Sequence, residues 1–145
     1  SMAIIDWLEE AHPEPAFLPT DPHARLRARA FADTVACDIL PLNNLSVLQY
    51  LREEFAATQE AVNAWYTTWV LRVFDALEVH ARKSETAFLF GAAPGLAEIC
   101  LIPQIYNARR FKIDLSAYPK LLEIDAACAK IEAFQAARPE AVKPV

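Results

Sequence analysis

Glycine is almost missing from this chain, with two residues in 145 against ten prolines. Tight β-hairpins lean on glycine or Asn-Gly pairs, and the sequence contains no Asn-Gly pair. That shortage points away from a sheet and toward an all-α fold, with the prolines marking breaks between helices. Cysteine is scarce as well. Cys37, Cys100 and Cys128 are odd in number, far apart and set in apolar helical patterns, so they read as three reduced core thiols rather than disulfide partners. Histidine is limited to His12, His23 and His80, which show no ligand spacing with the cysteines, so no metal site is expected. There is no basic excess: the net charge is −5 and the pI about 5.2, which argues against nucleic acid or an anionic membrane as partner. The longest apolar runs fall far short of the roughly 20 residues that span a bilayer. No charged-then-apolar signal segment opens the sequence, and the expected setting is cytoplasmic.

What remains is a 54% hydrophobic chain of one domain's length, enough for a substantial core. "SMAIIDWLEEAHP" reads as a short amphipathic helix, with Met2, Ile5, Trp7 and Leu8 inward and Asp6, Glu9 and Glu10 wetted. Pro13, Pro15, Pro19 and Pro22 stiffen the connector that follows, and Thr20 or Asp21 caps the next helix. The spacing predicts a long helix from about His23 to Glu54, kinked or broken at Pro41. Asn43 and Asn44 lie just past that break, where an amide partners a freed carbonyl or a ligand. A further helix runs from Thr58 to about Lys83, with Val62, Trp65, Trp69, Val73 and Leu77 on one face and the tryptophans read as packing. Glu98 sits where the back-reaching member of a capping box belongs, opposite a Gly95 that lacks the reciprocal side chain. "LAEICLIPQIYNARRF" is apolar nearly all round, hence central, and Pro103 interrupts it. A last amphipathic helix and a short terminal one complete a bundle of five or six helices.

The central helix ends on Arg109 and Arg110. Arginines in a last turn complement the negative helix end, which alone accounts for them. The other reading is an anion site. Adjacent helical residues lie about 100° apart, so the two are not expected to serve one purpose. A guanidinium also grips a carboxylate in a bidentate fashion that lysine does not copy.

The segments "CDILPLNNLSVLQYL", "NAWYTTW", "IPQIYNARRFKIDLSAYP" and "AFQAARPE" resemble the C-terminal helical domain of zeta-class glutathione transferases, the maleylacetoacetate and maleylpyruvate isomerases. The resemblance runs through essentially the whole chain. It implies residues 1–20 as the last helix of a thioredoxin-like domain plus linker, and 21–145 as the helical, substrate-pocket domain. It implies glutathione as cofactor: its thiolate adds to a conjugated double bond, the resulting single bond rotates, and the thiol leaves. Arg110 matches the family arginine that holds the substrate carboxylate, with Arg109 the more structural neighbour. Asn44, Leu45 and Ser46 match a stretch lying against glutathione, and Ser1, if native, matches the serine that binds its γ-glutamyl carboxylate. Three positions depart from the family pattern: Leu40 for a His or Gln, Ala92 for an Asp, and Gly95 for the capping Thr. The thiol-activating half is not among these residues, so the resemblance alone implies a catalytically incomplete domain. The competing expectation is a non-catalytic helical module that binds a small ligand or a protein. Exposed apolar surface on such a domain favours a homo-oligomer, and a small dicarboxylate is the expected ligand.

Overall fold

The computed structural model describes residues 1–142. These form seven helices and no strand: α1 (Met2–Ala11), α2 (Pro22–Asp38), α3 (Leu45–Glu54), α4 (Gln59–Ala81), α5 (Leu96–Arg110), α6 (Pro119–Cys128) and α7 (Glu132–Ala136). The last three residues of the 21–145 segment lie outside the described ones.

The count exceeds the expected five or six chiefly because the stretch around Pro41 separates two helices. The amides of Ile39 and Leu40 both reach back to Val35 O, at 3.3 Å each, and Asn43 N reaches Ile39 O at 3.0 Å. Proline has no N–H to carry the ladder onward, and α3 starts afresh with Asn44 as its N-cap. Pro103 does the opposite. It lies inside an unbroken α5, where burial on several sides outweighs one missing helical hydrogen bond. Asp21, rather than Thr20, caps α2 by accepting from Ala24 N at 2.7 Å.

The main core collects Phe31 and Val35 of α2, Leu48 of α3, most of one face of α4, Leu101, Ile105 and Ala108 of α5, and Leu121 and Ile124 of α6. The buried face of α4 is turned from the expected one. Val62, Val73 and Leu77 are buried, but Tyr66, Val70, Phe74, Glu78 and Ala81 complete the set, while Trp65 and Trp69 are half-exposed. Those two rings meet edge-on at 5.7 Å, with Arg72 over Trp69 at 5.5 Å. The cysteine expectation also needs correction. Cys128 is buried, Cys100 is half-buried, and Cys37 is exposed; all three are free.

A second, smaller cluster of Leu18, Ala28, Ala32 and Leu96 receives Met2 and Ile5 of α1. Here α1 departs from its expected pattern. Trp7 is 59% exposed, whereas Glu9 is buried and accepts a 2.6 Å hydrogen bond from Phe17 N. A lone buried carboxylate is costly, and a backbone donor from the connector answers that cost.

Two other buried acids do the same. Glu78 accepts from Lys120 N and Leu121 N, 3.1 Å each, so α4 caps the start of α6, and Arg82 closes on it at 2.8 Å. Glu98 accepts from Gly95 N at 2.8 Å and Leu89 N at 2.6 Å, tying the preceding loop to α5. Burial pushes the Glu98 carboxyl above its usual range, and those two N–H bonds oppose the shift.

The Gly95 position has its own reason. Leu96 N donates to Phe17 O at 2.8 Å, and a Cβ on Gly95 would run into that same oxygen. The connector carbonyl stands in for the absent capping side chain. Gly95→Ala is therefore expected to lower stability by about 1–3 kcal/mol in urea unfolding. Gly91→Ala, where a Cβ meets nothing within 4 Å, is expected to be neutral or stabilising by up to about 1 kcal/mol. Equal losses at both positions would remove the steric explanation.

Candidate functional site at the end of α5

Helix α5 stops in a Schellman motif. Ile113 N donates to Ala108 O and Lys112 N to Arg109 O, both at 3.0 Å, with Lys112 in the left-handed region at φ 56. This turn sends Phe111 back across α4, where its ring stacks on Tyr66 with centroids 3.7 Å apart and planes 6° from parallel. Tyr66 is 4% exposed. Burial pushes its phenol above the usual value, and the charge of Arg110 pulls against that rise. The guanidinium's field therefore reaches the buried tyrosine. Among the described residues the Tyr66 hydroxyl has no hydrogen-bond partner.

The two arginines part company at this end. Arg109 pairs with Asp125 Oδ2 of α6 at 2.7 Å, with Asp125 mostly buried and Arg109 about half exposed. Arg110 makes no ion pair among the described residues, and its charge is felt by Tyr66 and by Tyr106. One turn back, the Tyr106 hydroxyl donates to Glu140 at 2.7 Å.

The α2–α3 turn is fastened to the same step of α4 by consecutive residues. Asn43 Nδ2 donates to Tyr66 O at 3.2 Å, and Trp65 Nε1 donates to Leu42 O at 2.9 Å. Asn43 Oδ1 is buried and has no partner among the described residues. Asn44 Oδ1 accepts from Ser46 N at 3.0 Å and faces Ser46 Oγ at 2.9 Å, so this amide oxygen holds the start of α3. Leu45 between them is 74% exposed. The α2–α3 turn that leads into Asn44, Leu45 and Ser46 is thus fastened to the Trp65–Tyr66 step of α4, whose tyrosine feels the charge of Arg110.

Ser1 is set apart from that group. It is exposed, it begins α1 without a side-chain capping bond, and Met2 beside it lies 3.8 Å from the Cys100 sulfur. Cys100 precedes Arg110 by ten residues of α5, about 15 Å of helical rise. Burial, then the charge of Asp33, pushes the Cys100 thiol up to about 11. Burial, then Glu98 and Asp125, pushes Cys128 up to about 12. Neither supplies a thiolate near neutral pH. The arrangement offers one uncommitted guanidinium, a partnerless phenol and an orphaned amide oxygen. The guanidinium and the phenol are donors suited to an anion, whereas the amide oxygen is an acceptor that calls for a donor, and no nucleophile is among them.

Tyr66 was not singled out from the sequence, whereas Asn43 was, as an amide past the Pro41 break that partners a carbonyl or a ligand. The signal for Tyr66 was present, because it lies four residues from both Val62 and Val70. A tyrosine on a buried stripe places its hydroxyl at a rim.

No family model matches the chain. It is 47% identical to the maleylpyruvate isomerase of a Ralstonia species over 143 residues, which cover 97% of this chain and 68% of that protein. It is 39% identical to a probable maleylacetoacetate isomerase of Vibrio cholerae, covering 65% of its length. The maleylacetoacetate isomerase of Anaeromyxobacter dehalogenans superposes with a TM-score of 0.92 at 45% identity over 99% of this chain and 63% of that one. It was solved with dicarboxyethyl glutathione and citrate in its active site. A holo structure of maleylpyruvate isomerase, described as a bacterial zeta-class glutathione S-transferase, superposes at 0.94. The chain therefore belongs to the zeta-class glutathione transferases, within the maleylpyruvate and maleylacetoacetate isomerase family. It spans about two thirds of the length of the curated relatives it matches.

The division of labour between the arginines has a direct consequence for stability. Arg109→Ala is expected to cost about 0.5–1 kcal/mol, as befits a partly exposed pair. Arg110→Ala is expected to stay within about 0.5 kcal/mol of the parent. Urea unfolding of the two variants checks this, and the reverse order would make Arg110 the structural member.

Proposed function

We propose that the chain is the substrate-holding part of a glutathione-dependent cis–trans isomerase of small unsaturated dicarboxylates. The observation that carries this reading is the sorting of the two arginines. Asp125 occupies Arg109, which leaves Arg110 unpaired beside Tyr66. A bidentate guanidinium–carboxylate contact at Arg110 would fix one end of the substrate, and the Tyr66 hydroxyl would add a donor held in place by its stack on Phe111. The relative solved with a glutathione conjugate and citrate supports both ligand classes.

Glutathione, when bound, supplies the thiolate that adds to and leaves the conjugated double bond. The residues gathered near α3 are compatible with it. Asn43 Oδ1 is an unsatisfied buried acceptor, exposed Leu45 offers apolar contact, and Ser46 sits at the first turn of α3. Asn44 contributes by holding that turn, its side-chain oxygen being engaged by Ser46. Ser1 enters this reading as a γ-glutamyl carboxylate contact at the start of α1. In domain terms, residues 1–20 are read as the last helix of a thioredoxin-like domain with its linker, and 21–145 as the helical domain. The proposal also includes a cytoplasmic setting; among the described residues no helix is long and apolar enough to cross a membrane. Exposed Ile4 and Trp7 on α1, and Leu26 on α2, support self-association.

The second reading is a non-catalytic module that binds a dicarboxylate or a protein. It draws on the half-buried Cys100 and the buried Cys128, whose thiols are pushed up to about 11 and about 12, since neither is a ready nucleophile. A maleylpyruvate isomerisation assay separates the readings. Glutathione-dependent loss of the cis isomer above the glutathione-only background supports the enzyme, and Arg110→Ala is expected to lower kcat/KM about tenfold or more. Parent turnover at background with dicarboxylate binding retained would favour the module. An Arg110→Ala variant with parent activity would remove Arg110 from the site.

A further inference from the structure

Tyr106 and Arg110 lie four residues apart on α5, so they sit one above the other on one face of it. The Tyr106 hydroxyl donates to Glu140 at 2.7 Å, across 34 positions of chain. That bond brings the C-terminal stretch back onto the helix that ends at the candidate site.

The stretch is shaped to present a carboxylate there. Half-buried Phe134 of α7 packs on the main core, and Ala137 N continues the helix by donating to Ala133 O at 3.1 Å. Pro139 then opens one further turn, in which Ala141 N and Val142 N both donate to Arg138 O, at 2.9 and 3.1 Å. Residues 137–142 are all exposed, and the Tyr106 bond ties their turn to α5. The phenol lies in the fields of two opposite charges. Its hydrogen bond to Glu140 pushes it up, with burial and the carboxylate's charge adding to the rise, while Arg110 pulls it down. Glu140 takes the phenol, yet Arg110 makes no ion pair among the described residues. A neutral donor thus holds the tail carboxylate near the guanidinium without neutralising either charge.

We propose that Glu140 is a specificity determinant of the Arg110 site, with Tyr106 as the residue that positions it. The tail carboxylate leaves a fixed negative charge on one side of the guanidinium. A ligand carboxylate is then accepted on Arg110 from the Tyr66 side, and further negative charge on the tail side is repelled. The site therefore favours a slim dianion over a branched trianion. Held by Tyr106, Glu140 discriminates; released, it pairs with Arg110 and competes with the ligand. This inference rests on the reading of Arg110 as the substrate-carboxylate residue.

Titration of the full chain with malonate and with citrate, at fixed ionic strength and followed on the Arg110 Nε resonance, tests the proposal. Glu140→Gln is expected to tighten citrate about fivefold and malonate about twofold or less. Tyr106→Phe is expected to weaken malonate about threefold, because the freed carboxylate then turns to Arg110. The double variant is expected to bind as Glu140→Gln does, a rescue that a merely structural role for Tyr106 would not give. Equal gains for the two anions in Glu140→Gln, or none, would overturn the proposal. So would a Tyr106→Phe loss that persists in the double variant. An Arg110 resonance that answers neither anion in any variant would remove the Arg110 reading itself, and this inference with it.

Discussion

A helix that is apolar on nearly every side has to be enclosed, and its two ends are then the places where its polar backbone must be answered. Helix α5 sets that constraint here, and much of the chain is arranged to meet it. At its start, the buried Glu98 carboxylate takes two backbone N–H groups, and Phe17 O takes the amide of Leu96. At its finish, the Schellman turn uses the carbonyls of Ala108 and Arg109. The connector after α1, the loop before α5 and the turn after it are thereby fixed by one element.

The chemistry of the candidate site follows from the second of those ends. The turn that closes α5 throws Phe111 onto Tyr66, and the helical offset of about 100° aims neighbouring arginines at different targets. Asp125 takes one of them. The other is left with a positive charge, no ion pair among the described residues, and a rigid aromatic pair beside it. The same α4 step receives the α2–α3 turn through Asn43 and Trp65, so two distant stretches of sequence meet there. The proposed anion site lies where the structural needs of α5 leave one guanidinium uncommitted.

Much of this was legible in the sequence, for identifiable reasons. Scarce glycine and helical spacing announced an all-α chain, and the prolines marked where helices end. The difference between Arg109 and Arg110 followed from helical geometry, but its cause did not, because Asp125 lies on another helix. Whether a proline kinks or breaks a helix depends on tertiary surroundings: Pro41 lies in a break, and Pro103 inside an intact helix. Glu9 and Glu78 were the least legible features. An acid in an amphipathic pattern reads as wetted, and only the fold shows the remote or looping N–H groups that let it be buried. Glu98 was legible as the back-reaching member of a capping box, and only its second bond, from Leu89 N, was not. The turned face of α4 has a similar origin, since Trp65 is drawn outward by its bond to Leu42 O.

The central claim is that Arg110, and not Arg109, is the available anion-binding guanidinium. Side-chain arginine NMR during a malonate titration addresses it directly, with Arg109→Lys and Arg110→Lys variants used for assignment. The account predicts that the Arg110 Nε resonance shifts and saturates with malonate while that of Arg109 stays fixed on Asp125. A saturating shift at Arg109, with Arg110 unmoved, would contradict it.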